Sequence, residues 1–91
     1  MAVKSTTVTV TTTATLIPAA ADAITGPTRT EILVQNLGTG AIYVGASDVT
    51  TANGIQVNAG ASLGLNGVAT PDALYAITAS GTQDVRVLEI G

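Results

Sequence analysis

The chain has 91 residues without Cys, His, Phe or Trp, and it carries three basic and six acidic side chains, for a net charge of −3 at pH 7. This length allows one domain with a modest core, and the scarcity of basic residues argues against a nucleic-acid partner. Because the usual general base and the usual thiol nucleophile are missing, we expect no enzyme and no catalytic residue.

Low charge and high hydrophobicity together point to association. Charged residues make up 10% of the chain, against about 25% in an average soluble domain, and the hydrophobic 46% is mostly Ala, Val, Ile and Leu. Side chains of this size form a thin core, of the kind that lies between two packed β-sheets. We favour a homo-oligomer or a component of an assembly over a stable monomer kept soluble by hydroxyls and amides. No apolar run reaches signal-peptide length or the about 20 residues of a membrane span, so we expect no membrane partner.

The first predicted element spans residues 5–17, where Thr alternates with apolar residues. This period of two predicts a strand with Val8 and Val10 on one face. Pro18 ends the strand because proline has no amide hydrogen to donate. We expect residues 1–7 to form an N-terminal arm, since a terminus is ordered only where something holds it.

Residues 29–47 carry the strongest local signal. The runs TEILVQN and AIYVG flank a Gly-rich turn at residues 37–40, which predicts a β-hairpin. The preceding residues 19–28 hold either one short helical turn or an irregular crossover, and the turn dipeptide Gly26-Pro27 favours the crossover. The predicted core face of the hairpin consists of Thr30, Ile32, Val34, Ile42 and Val44.

Two more hairpins are predicted in the C-terminal half. The first turns at residues 58–61, and the second joins residues 74–79 to residues 84–90 through residues 80–83. The last strand has apolar residues on both faces, so we expect it in the centre of a sheet or at a subunit contact. With seven or eight short strands and frequent turns, the sequence predicts an all-β antiparallel sandwich over residues 8–91, either jelly-roll-like or immunoglobulin-like.

The polar side chains outside the strands are more typical of turns than of a metal site. An exposed polar loop follows the first predicted hairpin and contains Ser47, Asp48 and Asn53. Asp48, with Asn53 or Asp22, offers oxygen ligands for calcium, but the spacing of a dedicated calcium loop is absent. Asp48, Asn53 and Asp72 stand where such side chains bond their own backbone, so we expect no metal and no cofactor.

The remaining charged and aromatic side chains have structural explanations as well. Ion pairs across strands are expected for the charged residues of the last strand, Arg86 and Glu89, and for those that open the first hairpin, Arg29 and Glu31. For Arg86 we favour a partner within the chain over one on a neighbouring copy, and for Arg29 both alternatives stay open. Tyr43 and Tyr75 are expected to pack on a face of the sandwich. If one of them is exposed, it becomes the natural anchor of an interface.

Four segments of the sequence carry a family resemblance: TATLIP at residues 13–18, RTEILVQNLGTGAIYVGASDVTTANGIQV at 29–57, NAGASLGL at 58–65 and LYAITASGTQDVRVLEIG at 74–91. As an ordered set they resemble the small virion-associated β-proteins of tailed bacteriophages, which are described as head fibre, capsid decoration or minor structural proteins. The resemblance covers most of the chain, apart from residues 19–28 and 66–71.

The resemblance implies a non-enzymatic structural protein that is made in the host cytoplasm and attached to the capsid exterior of the virion in clustered copies. Its partner would be the major capsid protein or another virion protein. Two alternatives are a head- or tail-borne adhesin that binds carbohydrate or a host surface, and a tail-tube or adaptor subunit. In the decoration role we expect partner contacts from the N-terminal arm and the last strand, through Lys4, Thr6, Val8, Arg86, Leu88 and Ile90.

Overall fold

The computed structural model describes residues 3–18, 30–66 and 74–91, which form an all-β sandwich as predicted. The strands form two antiparallel sheets, sheet 1 in the order β1-β8-β3-β6 and sheet 2 in the order β2-β7-β4-β5, with the core between them. In chain order the strands are β1 (Val3–Val10), β2 (Thr15–Leu16), β3 (Glu31–Asn36), β4 (Ile42–Gly45), β5 (Ile55–Val57), β6 (Ser62–Asn66), β7 (Tyr75–Thr78) and β8 (Gln83–Ile90).

The strand pairing identifies the sandwich as a jelly roll. β1 pairs with β8, β2 with β7, β3 with β6 and β4 with β5, and successive pairs alternate between the two sheets. This is the pattern of a long antiparallel ribbon folded over on itself into two four-stranded sheets. An immunoglobulin sandwich instead divides its strands as ABED and CFG. Of the two predicted alternatives, the topology therefore selects the jelly roll.

The three predicted hairpins are wrong as strand pairings. Their turns occur where the sequence indicates them, but β3 and β4 lie in different sheets, and so do β5 and β6, and β7 and β8. Each turn is therefore an arch that carries the chain from one layer to the other. Strands on both sides of an arch still bury alternate residues, because both layers face the same core, so a hairpin and an arch produce the same sequence pattern. Among the described strands, β4 and β5 are the one consecutive pair that shares a sheet.

The N-terminal segment differs from its prediction in two respects. From Val3 onward the chain is strand, and β1 pairs with β8 along its whole length. The arm expected over residues 1–7 is therefore wrong from Val3 onward, because β8 offers a partner strand as far as that residue. The single strand predicted over residues 5–17 is also divided, since the chain leaves sheet 1 after Val10 and enters sheet 2 at β2. Residues 19–28, predicted as a crossover, lie outside the described residues.

The core is aliphatic and thin, as the composition predicts. Thr30 is an exception to the predicted core face, because it is exposed just before β3 and its hydroxyl and amide both donate to the carbonyl of Ile90. β8 lies between β1 and β3, which confirms a central position for the last strand. The predicted core-facing residues that are buried are Val8, Val10, Ile32, Val34, Ile42 and Val44.

A buried amide side chain holds the arch between β3 and β4. Asn36 is fully buried at the end of the core where the chain leaves β1, β3, β5 and β7. Its Nδ2 donates to the carbonyls of Gly40, at 2.8 Å, and Val57, at 3.0 Å. Its Oδ1 accepts from the amide of Gly38 at 2.9 Å. One side chain thereby ties the arch to β5 in the opposite sheet.

Two further buried polar side chains complete this network. Gln83 Oε1 accepts from the amide of Gly40 at 3.0 Å, and Gln83 Nε2 donates to Thr78 Oγ1 at 3.3 Å. Thr78 Oγ1 in turn donates to the carbonyl of Ala41 at 3.0 Å. A Cβ atom at Gly38 would overlap the Gln83 side chain, so the arch requires glycine at that position.

Candidate interaction surfaces

The outer face of sheet 1 carries a group of apolar side chains, here called the outer patch, formed by Val3, Leu33, Leu88 and Ile90. Val3 is 65% exposed and Leu33 is 42% exposed, while the other two are half-buried. Ile90 lies opposite Val3, and Leu88 lies opposite Leu33. Gly64 faces Leu33 from β6 and leaves a shallow groove of about 150 Å³ beside it. Contiguous exposed apolar side chains on a sheet are a mark of an interaction surface.

Charged residues flank the outer patch. Glu31 is exposed at one margin, opposite Ile90. At the other margin Arg86 Nη1 donates to Asp84 Oδ1 at 2.5 Å, and both side chains are about half exposed. Alternation along β8 turns Glu89 into the core. A partner within the chain is confirmed for Arg86, but the expected pairing across strands is wrong for it, because Asp84 lies two residues away on the same strand. An exposed pair of this kind contributes under about 1 kcal/mol to stability.

Three of the six predicted contact residues lie on the inner side of β1. Val8 is 8% exposed and packs in the core, so its prediction as a partner contact is wrong. Lys4 lies opposite Glu89 in the register of β1 and β8. Thr6 Oγ1 is buried and has no hydrogen-bond partner within the described part of the chain. The other three predicted contact residues lie on the outer face of β8: Arg86, Leu88 and Ile90.

The loop between β4 and β5 holds the three residues predicted to be exposed, and all three are: Ser47, Asp48 and Asn53. Asn53 Oδ1 accepts from the amide of Thr50 at 2.7 Å, and Asn53 Nδ2 donates to the carbonyl of Asp48 at 3.5 Å. These bonds confirm the turn role predicted for Asn53. Within the described ranges no group of three potential ligand residues surrounds a metal position, and Asp22 and Asp72 fall outside those ranges.

The two tyrosines share the outer face of sheet 2. Tyr43 lies opposite Ile77, and Tyr75 lies opposite Gly45. They are therefore diagonal neighbours on adjacent strands, with Cα atoms about 7–8 Å apart. Both are half-buried, which agrees with packing on a face of the sandwich. The two rings together provide the one aromatic surface that the chain can form, since it has no Phe or Trp.

Two members of the outer patch were not among the predicted contacts. Leu33 gave a visible signal, because it stands between Glu31 and Gln35 on the side of β3 that faces solvent. Val3 gave none, because its position on a sheet face depends on the pairing of β1 with β8.

Comparison of the chain with protein-family models, with characterised proteins and with solved structures finds no match. Among the described residues, no helix is long and apolar enough to cross a membrane.

Proposed function

We propose that the protein is a capsid decoration protein of a tailed bacteriophage, a non-enzymatic component that binds the exterior of the head. The observation that carries this proposal is the outer patch, in which Val3 and Leu33 are 65% and 42% exposed on one face of a small, weakly charged jelly roll. Such a face associates readily with another protein surface. The four segments that resemble virion-associated β-proteins favour a bacteriophage virion as the particle to which the protein binds.

In this role the outer face of sheet 1 binds the major capsid protein. The outer patch forms the apolar centre of the contact, and Glu31 and Arg86 at its margins form a polar rim, the arrangement typical of protein interfaces. A bound copy that bridges neighbouring capsomers stabilises the assembled shell by mass action, because it binds that form and not the separated subunits.

Sedimentation with capsids tests this proposal. Purified protein is mixed with capsids of the encoding phage that were assembled without it, and the pelleted fraction is measured. Leu33→Ser removes an apolar side chain from the outer patch, and Ile55→Ser is the matched control, since Ile55 is 61% exposed on β5 in the other sheet. We expect Leu33→Ser to weaken binding about tenfold, the effect of about 1.4 kcal/mol, and Ile55→Ser to bind like the unaltered protein. Equal binding of both variants, or no binding of the unaltered protein, would contradict the proposal.

One observation favours a second candidate function, an adhesin module. Tyr43 and Tyr75 lie side by side on the outer face of sheet 2, and paired aromatic rings are a common surface for stacking sugars. A glycan array with the purified domain distinguishes this role. Micromolar glycan binding that is lost in Tyr43→Ala would favour the adhesin over the decoration protein.

A further inference from the structure

The outer side of β1 is an open sheet edge among the residues that the structure describes. Within the described part of the chain, no strand pairs with it. β1 has eight residues, whereas the other edge strands, β6, β5 and β2, have five, three and two. Natural edges are usually shielded by proline, by bulges or by several charges. β1 has no proline, an unbroken register and one charged residue, Lys4, so it is a ready template for another strand.

The backbone groups on this edge belong to alternate residues of β1. The amide of Leu37 donates to the carbonyl of Asp84 at 2.8 Å, so Asp84 and every second residue after it in β8 turn their backbone groups toward β3. The intervening residues of β8 turn theirs toward β1 and bond its even-numbered residues. The N–H and C=O groups that point to the open edge are therefore those of Val3, Ser5, Thr7 and Thr9.

We propose that a second copy of this chain occupies the edge, with its own β1 antiparallel to the first. A two-fold axis at Thr6 places Val3 opposite Thr9, and Ser5 opposite Thr7, of the second copy. The four outward-facing residues of each copy then form four hydrogen-bonded pairs. Each such pair has two hydrogen bonds, which gives about eight in all. Registers centred on Ser5 or Thr7 give about six. The low charge of the chain, 10% of its residues, favours association between copies, and this register places Thr6 of one copy opposite Thr6 of the other.

The side chain of Thr6 supports this register. Its Oγ1 is buried without a hydrogen-bond partner in the described part of the chain, which is rare for a hydroxyl. At the two-fold axis the two Thr6 residues form a non-hydrogen-bonded pair, whose Cα atoms lie about 4.5 Å apart and whose side chains are in contact. Rotation about χ1 allows the two hydroxyls to bond each other, as threonine pairs do across strands.

The pairing has a consequence for the capsid contact, and this consequence rests on the proposed function. The two-fold axis is perpendicular to the joined sheet, so both outer patches face the same side. Their centres, on the two β8 strands, lie three strand spacings, or about 14 Å, apart across the joined sheet. A dimer therefore presents two equivalent capsid contacts at once, and the second contact strengthens the first without any new interaction.

Cross-linking of single-cysteine variants tests the pairing cleanly, because the chain contains no Cys. Oxidised Thr6→Cys should form a disulfide-linked dimer, since a Cα separation of about 4.5 Å lies in the disulfide range. Thr9→Cys is the matched control, because its two copies would lie about 20 Å apart, and it should stay monomeric. Cross-linking of Thr7→Cys without Thr6→Cys would overturn the register. Folded Ser5→Cys, Thr6→Cys and Thr7→Cys proteins that all fail to cross-link would overturn the pairing.

Sedimentation equilibrium separates this proposal from the proposed function. Thr7→Pro removes a donor from the open edge and leaves the bonds between β1 and β8 intact, whereas Thr7→Val keeps the donor. We expect the unaltered protein and Thr7→Val to be dimers and Thr7→Pro to be a monomer. Thr7→Pro should still bind capsids, about tenfold or more weakly, while Leu33→Ser should remain a dimer and lose capsid affinity. A dimeric Thr7→Pro protein would contradict pairing through this edge, whatever the result with capsids.

Discussion

Substitution of the buried Asn36 tests whether its hydrogen bonds stabilise the arch between β3 and β4. The Asn36→Ala substitution removes three hydrogen bonds at once. Two run from Nδ2 to the carbonyls of Gly40 and Val57, at 2.8 and 3.0 Å. The third runs from the amide of Gly38 to Oδ1 at 2.9 Å. We expect the folded domain to lose the tie between the arch and sheet 2.

The size of the effect follows from the burial of these groups. Each net hydrogen bond contributes about 1 kcal/mol, and a buried group left without a partner costs about 1–3 kcal/mol. The three lost bonds therefore cost at least about 3 kcal/mol. At roughly 0.05–0.15 kcal/mol per residue, this domain has about 5–14 kcal/mol of total stability. At about 4–8 °C for each kcal/mol, the Tm should fall by at least about 12 °C.

Thermal and urea unfolding, followed by circular dichroism, measure this loss. Asn58→Ala is the matched control, because Asn58 is exposed and its Oδ1 accepts a single side-chain hydrogen bond, from Gln56 at 2.9 Å. Its expected cost is under about 0.5 kcal/mol. Equal stability of the two variants would refute the conclusion that the buried polar network holds the arches.

Four further substitutions probe the core, the arch and the outer patch by the same unfolding assay. Val34→Asp should unfold the domain, because an unpaired carboxylate at a fully buried position costs several kcal/mol, and a folded variant would contradict the facing of β3. Gly38→Ala should cost about 1–3 kcal/mol by overlap with Gln83. In contrast, Gly64→Ala places its Cβ 3.6 Å from Leu33 and should leave the Tm unchanged or higher. Leu33→Ser should change stability by under about 0.5 kcal/mol, and a larger loss would mean that Leu33 serves the fold rather than a partner.

The buried face of most strands could be predicted from the sequence, but their partners could not. Alternation identified Ile32 and Val34 as core residues because the period of two depends only on the extended backbone. The same pattern cannot tell whether the following strand turns back beside β3 or crosses to the other layer. That choice depends on distant contacts, such as those of Asn36 with Val57 and of Gln83 with Gly40. No short stretch of sequence contains both partners.

The outer patch could also be predicted only in part, because alternation shows which residues share a face of a strand but not which strands are neighbours. Apolar residues on both faces of the last strand predicted a contact position, and the outer face of β8 does contribute Leu88 and Ile90 to the outer patch. Leu33 was visible as an apolar residue on the solvent side of β3. The sequence did not predict that β1 is an edge strand, because only its pairing with β8 distinguishes such a strand from an arm. The same pairing determines which backbone groups of β1 point to the open edge.

Cryo-EM of the purified virion tests the proposed decoration role most directly. We predict separate density for a jelly roll of 36 × 23 × 21 Å on the outer surface of the head. The outer face of sheet 1 should lie against the major capsid protein, and copies should be joined edge to edge through β1. A head whose exterior lacks this density, or a jelly roll of this chain found only in the tail, would contradict the account.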